Sequence, residues 1–164
     1  MSSRIANPLR TVPALTIATA CGIGYAPFAP GTFGSAAGMA LWAVLPASAL
    51  AHAVTILLLF VIGSWSSGVA EHHFGRTDPG QAVIDEVMGM LITLFMNPVG
   101  RWGALVAFLL FRAADIVKPY PANRLERLHG GIGIMADDAM AGVYANIAVR
   151  LASWLVTRST WLVK

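Results

Sequence analysis

Six of the eight acidic residues fall in three places: Asp78, Asp85 and Glu86 within "DPGQAVIDEVMGM", Asp115 within "FRAADIVKPYP", and Asp137 with Asp138 within "HGGIGIMADDAMAG". Each place borders a strongly apolar run, where an isolated carboxylate is costly unless cations or hydrogen bonds compensate it. Clustered carboxylates form an oxygen-only donor set. That set suits Mg²⁺, which takes one or two carboxylates and completes its shell with waters and substrate phosphate oxygens.

Simpler roles compete for some of these residues. Asp78 precedes Pro79, the pattern of a helix N-cap followed by proline at the first helical position, and capping outweighs a metal role there. One of Asp137 and Asp138 can cap the helix that follows them, since adjacent helical residues point about 100° apart. Asp85 and Glu86 are expected a turn or more inside the helix begun at Pro79, beyond the need for a cap.

Basic residues supply the complementary chemistry. Arg112, Asp115 and Lys118 recur at three-residue spacing and share one helix face. Such a row is either an intrahelical ion-pair ladder or a phosphate clamp, with Arg offering a two-pronged fork and Lys a point charge. "PFAPGTFGS" adds a Pro and Gly loop running into a helix, so backbone N–H groups from Gly31 and Thr32 to Ser35 can cradle a phosphate. A plain structural turn explains that loop equally well, and no Walker lysine follows it.

Several chemistries are excluded. Cys21 is the single cysteine, and Pro27 stands where a cysteine phosphatase needs arginine. No Asp-x-Asp-x-Thr occurs, and His52, His72, His73 and His129 lack metalloprotease spacing.

These groups need elements to hold them. Of 164 residues, 57% are hydrophobic and 12% charged, about half the charged share of a soluble domain. Between Thr11 and Ala70 there is no Asp, Glu, Lys or Arg, which indicates membrane-associated helices. Residues 35–45 predict a short helix ended by Pro46, and 47–70 the best transmembrane span. A helix from Pro79 is stopped by Asn97, Pro98 and Gly100, and a second runs from Trp102 to Lys118. Read as two pieces, 87–111 forms a hairpin that returns both ends to one side. "PANRLERLH" predicts a short amphipathic helix, and Asp137 and Asp138 introduce a last helix reaching about Thr157. The expectation is one domain over 1–164, all-α, a multi-helix membrane-associated bundle with interrupted helices and a polar site at helix ends.

In this order and at these separations, "PFAPGTFGS", "AVIDEVMGM", "FRAADIVKPYP" and "HGGIGIMADDAMAG" resemble the bacterial phosphatidylglycerophosphatase A family over about Gly22 to Gly142. The resemblance implies an Mg²⁺-dependent lipid phosphatase of the inner membrane that converts phosphatidylglycerophosphate to phosphatidylglycerol and phosphate. It implies metal ligation by Asp85, Glu86, Asp137 and Asp138, catalytic roles for these and Asp115, and phosphate binding by Arg112 and Lys118. Ala114 and Tyr120 depart from residues common in the family, at packing or lipid-contact positions. A metal-activated water and an aspartyl-phosphate route both remain open.

The charge of +3 sits at segment ends without aromatic interleaving, which favours anionic lipid over nucleic acid as partner. Arg112, Lys118, Arg124 and Arg127 place the active face on the cytoplasmic side. A homo-oligomer is compatible with the composition. The rival readings are a small transporter or non-catalytic assembly subunit, which predicts charges near mid-span, and a soluble helical relative that buries its apolar surface by association.

Overall fold

Proline and glycine set most of the joints in the computed structural model, which describes residues 8–125, 128 and 130–162. Helix α1 (Pro8–Ala18) leads through a 3-10 turn at Ile23–Tyr25 to α2 (Pro30–Val44), which has proline at its first position as helix geometry favours. Ser48 caps α3 (Ala49–Phe74) by accepting the Ala51 amide at 3.4 Å, and Gly75 ends it in the left-handed region at φ 67°. Then follow α4 (Ile84–Leu94), α5 (Arg101–Val117), the single turn α6 (Ala122–Leu125) and α7 (Gly131–Leu162). No strand occurs among the described residues.

Three helix starts differ most from the sequence expectation, while α3 and α7 also end about four or five residues later than expected. Helix α2 begins at Pro30, within the Pro and Gly loop. Helix α4 begins at Ile84, so Asp78 does not cap it. Asp78 instead sits in a left-handed bend at φ 46°, and the Val83 amide donates to Ala18 O at 2.8 Å across to α1. Helix α7 begins at Gly131, so Asp137 and Asp138 lie well inside it and neither caps it.

Helix α4 is the centre of the bundle, packed most extensively on α7 and α2 and also against α3 and α5. One core cluster joins Met90 and Leu94 to Phe111, Ala141 and Ala145, and a second joins Ile84, Val87 and Met88 to Met135. Glycine permits the closest approach: a methyl added at Gly142 would come within 2.6 Å of Gly89 O.

The break at 95–100 makes α4 and α5 a hairpin, as the sequence predicts. At about 1.5 Å per residue, α4 is roughly 16 Å long, far short of a bilayer core of about 30 Å. Ending a helix inside an apolar bundle orphans its last carbonyls. Asn146 of α7 resolves this by donating Nδ2 to Ile92 O, Thr93 O and Phe95 O at 3.0, 3.0 and 2.8 Å. Arg150 adds a bond to Phe95 O at 3.1 Å, and its Nε donates to Asn146 Oδ1 at 2.8 Å.

By length and composition, α3 and the Gly131–Val156 part of α7 can each cross a membrane. Only 22% of the most apolar window of either is buried in the bundle, unlike a soluble core helix. Outward faces carry Leu57, Val61 and Trp65 on α3, Leu105 and Leu109 on α5, and Leu151 and Trp154 on α7. An apolar exterior of this kind marks a membrane or partner surface.

Candidate active site

The acidic pair Asp85 and Glu86 occupies the first turn of α4, where the helix dipole favours negative charge. From inside α7, Asp138 reaches the same point, and one carboxylate oxygen from each of Asp85, Glu86 and Asp138 lies within 4.8 Å of the others. Burial pushes the Asp85 carboxyl well above the ordinary range, helped by the charges of Glu86, Asp138 and Asp78. Burial also raises Glu86, while a hydrogen bond with Asp85 and the Arg112 charge pull the other way. Asp85 Oδ1, Glu86 Oε2 and Asp138 Oδ2 are buried without a hydrogen-bond partner. Three converging carboxylates with orphaned oxygens fit a hard divalent cation, which would satisfy the oxygens and relieve the like-charge repulsion.

Asp137 stands apart from this trio. Its Oδ2 accepts a hydrogen bond from Lys118 Nζ at 2.6 Å, while its buried Oδ1 has no hydrogen-bond partner, so the adjacent aspartates face different neighbours. Lys118 follows the last turn of α5 in the left-handed region, at φ 45° and ψ 60°, which turns it toward α7. The evenly spaced row therefore splits: Arg112 Nη1 donates to Asp115 Oδ2 at 2.5 Å along the helix, whereas Lys118 pairs across to another helix. Arg112 also stands 3.8 Å from Glu86 Oε1. Side-chain exposure is 18% for Arg112, 23% for Lys118 and 15% for Glu86 against 5% for Asp137, so the two cations and Glu86 form the accessible side.

The glycine loop joins the site at one residue. A methyl at Gly31 would overlap Glu86 Oε1 and lie 3.0 Å from Arg112 Nη1. Thr32 is half-buried, and its amide is already bonded to Ala29 O at 2.9 Å. Ser35 is fully buried and donates its hydroxyl to Gly31 O at 2.8 Å, so that hydroxyl serves the helix and is not offered to a ligand. Arg127 and His129 lie outside the described residues.

The arrangement brings Asp85, Glu86, Asp115, Asp137, Asp138, Arg112 and Lys118 together. Acids at segment ends describe Asp85 and Glu86 but not Asp137 and Asp138. What disfavours a transport path is that all of them converge on one end of α4. Sequence reasoning missed Asn146 and Arg150, whose signal was a polar pair four residues apart in the apolar run "NIAVR".

A family model described as phosphatidylglycerophosphatase A matches residues 16–153. A Bacteroides thetaiotaomicron protein named "Putative phosphatidylinositol-3-phosphatase" is 38% identical over 149 residues, covering 85% of this chain and 93% of the relative. Proteins named phosphatidylglycerophosphatase A from Escherichia coli K12 and Haemophilus influenzae are 37% and 38% identical. Those two matches cover 77% and 87% of this chain, and 76% and 93% of the relatives. No solved structure matches.

Proposed function

Because the chain belongs to the phosphatidylglycerophosphatase A family, we propose that it hydrolyses the terminal phosphomonoester of phosphatidylglycerophosphate to give phosphatidylglycerol and phosphate in phospholipid synthesis. The observation that carries this reading is the facing of two charge sets. The trio of Asp85, Glu86 and Asp138, with Asp85 and Asp138 buried and Glu86 half-buried, stands beside the half-buried cations Arg112 and Lys118.

Asp85, Glu86 and Asp138 would hold Mg²⁺. Bound there, the ion supplies neutralisation of phosphoryl charge and activation of a nucleophile. The chain's own groups do the rest. Arg112 and Lys118 bind the phosphate oxygens and stabilise the charge that develops on them. Asp115 fixes the Arg112 fork, and Asp137 fixes the flexible Lys118 ammonium. Gly31 leaves the space in which Glu86 and Arg112 approach each other. The low-dielectric surroundings of the bundle strengthen each of these interactions.

The apolar outer faces of α3, α5 and α7 lie in the bacterial inner membrane in this reading, and Arg112, Lys118 and Arg124 put the site on the cytoplasmic side. The name of the Bacteroides relative makes phosphatidylinositol 3-phosphate a second candidate substrate. Purified protein given each lipid in matched detergent micelles decides between them. Phosphatidylglycerol formed in step with released phosphate supports the proposal, and turnover of the inositol lipid alone replaces it.

A further inference from the structure

A cavity of about 260 Å³ is lined by Tyr25, Pro27, Pro30, Arg76, Gly80 and Gln81 among others. Two of its walls are joined to the site along the chain. Pro30 precedes Gly31, which faces Glu86 and Arg112, and Gln81 lies four residues before Asp85. The cavity is below the usual ligand-pocket range of about 300–1,000 Å³, a size for one small group and not for a whole lipid.

Arg76 gives the cavity its chemistry. Its Nη2 donates to Gln81 Oε1 at 2.6 Å, which fixes one prong of the guanidinium. Arg112 and Lys118 each hold a carboxylate, whereas no described carboxylate lies within ion-pair distance of Arg76. An exposed, oriented guanidinium with no ion pair among the described residues leaves its remaining N–H donors for an anion.

We infer that Arg76 is a specificity-determining residue that binds the internal phosphodiester of the lipid headgroup while Arg112 and Lys118 hold the terminal monoester. This rests on the phosphatase reading above. Phosphatidylglycerophosphate and phosphatidylinositol 3-phosphate both carry one phosphodiester and one monoester. Free phosphate occupies only the monoester position, and phosphatidylglycerol offers only the diester.

The test measures inhibition of phosphatidylglycerophosphate turnover by phosphatidylglycerol and by inorganic phosphate, in wild type, Arg76→Ala and Arg76→Lys. Arg76→Ala should weaken phosphatidylglycerol inhibition and raise KM for the substrate by roughly tenfold or more, the scale of one charged hydrogen bond. Inhibition by inorganic phosphate should stay within about twofold, and Arg76→Lys should recover part of the loss, since Lys keeps the charge without the fork. Equal weakening of both inhibitors, or of neither, overturns the Arg76 assignment and leaves the phosphatase reading standing. Wild-type protein inert toward the lipid overturns both.

Discussion

Arg112 Nη1 stands 3.8 Å from Glu86 Oε1, joining the end of α5 to the beginning of α4 across a helix break. That contact exists only because Asn97, Pro98 and Gly100 stop α4 and send α5 back alongside it. A straight helix through the same residues would place the two groups at opposite ends, more than about 30 Å apart.

The hairpin therefore predicts a shared face. With Cys21 replaced by Ser, single cysteines at Gly80 and Arg124 should react with an impermeant thiol reagent from the same side of oriented vesicles. Labelling from opposite sides contradicts the fold and the shared site together.

The carboxylates should separate by task. Asp85→Asn and Asp138→Asn should abolish divalent-metal binding, read by calorimetry, and lower turnover at least about 10²-fold, the scale of losing one electrostatic stabiliser. Asp137→Asn should retain metal binding and raise KM instead, because Asp137 holds Lys118. Loss of metal binding in Asp137→Asn would return it to the ligand set.

How much of this was legible beforehand depended on whether the cause was local. The joints at Pro46 and at Asn97 to Gly100 follow from backbone chemistry carried by the residues themselves, and the structure has a helix end near each. The start of α4 was misplaced because Asp78 and Pro79 make a valid local cap signal, while the actual start follows a tertiary bond from Val83 to Ala18. The early start of α7 likewise rests on Gly131 lying against Ser64 and Gly68 of α3, which no local pattern announces. The site residues were visible as types and clusters. Their pairing was not, since Lys118 reaches Asp137 only through a left-handed turn.

Asn146 should matter for stability more than its exposure suggests. Asn146→Leu removes the donor shared by the carbonyls of Ile92, Thr93 and Phe95, which keep bonds from the Phe95 amide, Asn97 Nδ2 and Arg150, so the cost is that of net hydrogen bonds, about 0.5–1.5 kcal/mol each. Thermal unfolding in detergent should show the lowered Tm. An unchanged Tm would mean that other groups cap α4.

Gly31→Ala should separate folding from catalysis. The added methyl collides with the far end of the flexible Glu86 side chain, which can shift without moving backbone, so Tm should change little. Turnover should fall by up to roughly 10²-fold, the effect of displacing a reacting group by about 1 Å. Normal turnover would show that Glu86 can move without consequence.

The account's central claim is that the trio of Asp85, Glu86 and Asp138 serves a metal-dependent phosphomonoester hydrolysis. Phosphate release from phosphatidylglycerophosphate by the purified protein, stripped with EDTA and then titrated with Mg²⁺, measures this most directly. The account predicts no release after chelation, full recovery with Mg²⁺, and no recovery in Asp85→Asn at the same Mg²⁺ concentration. Full turnover in the chelated enzyme, or undiminished turnover in Asp85→Asn, would contradict it.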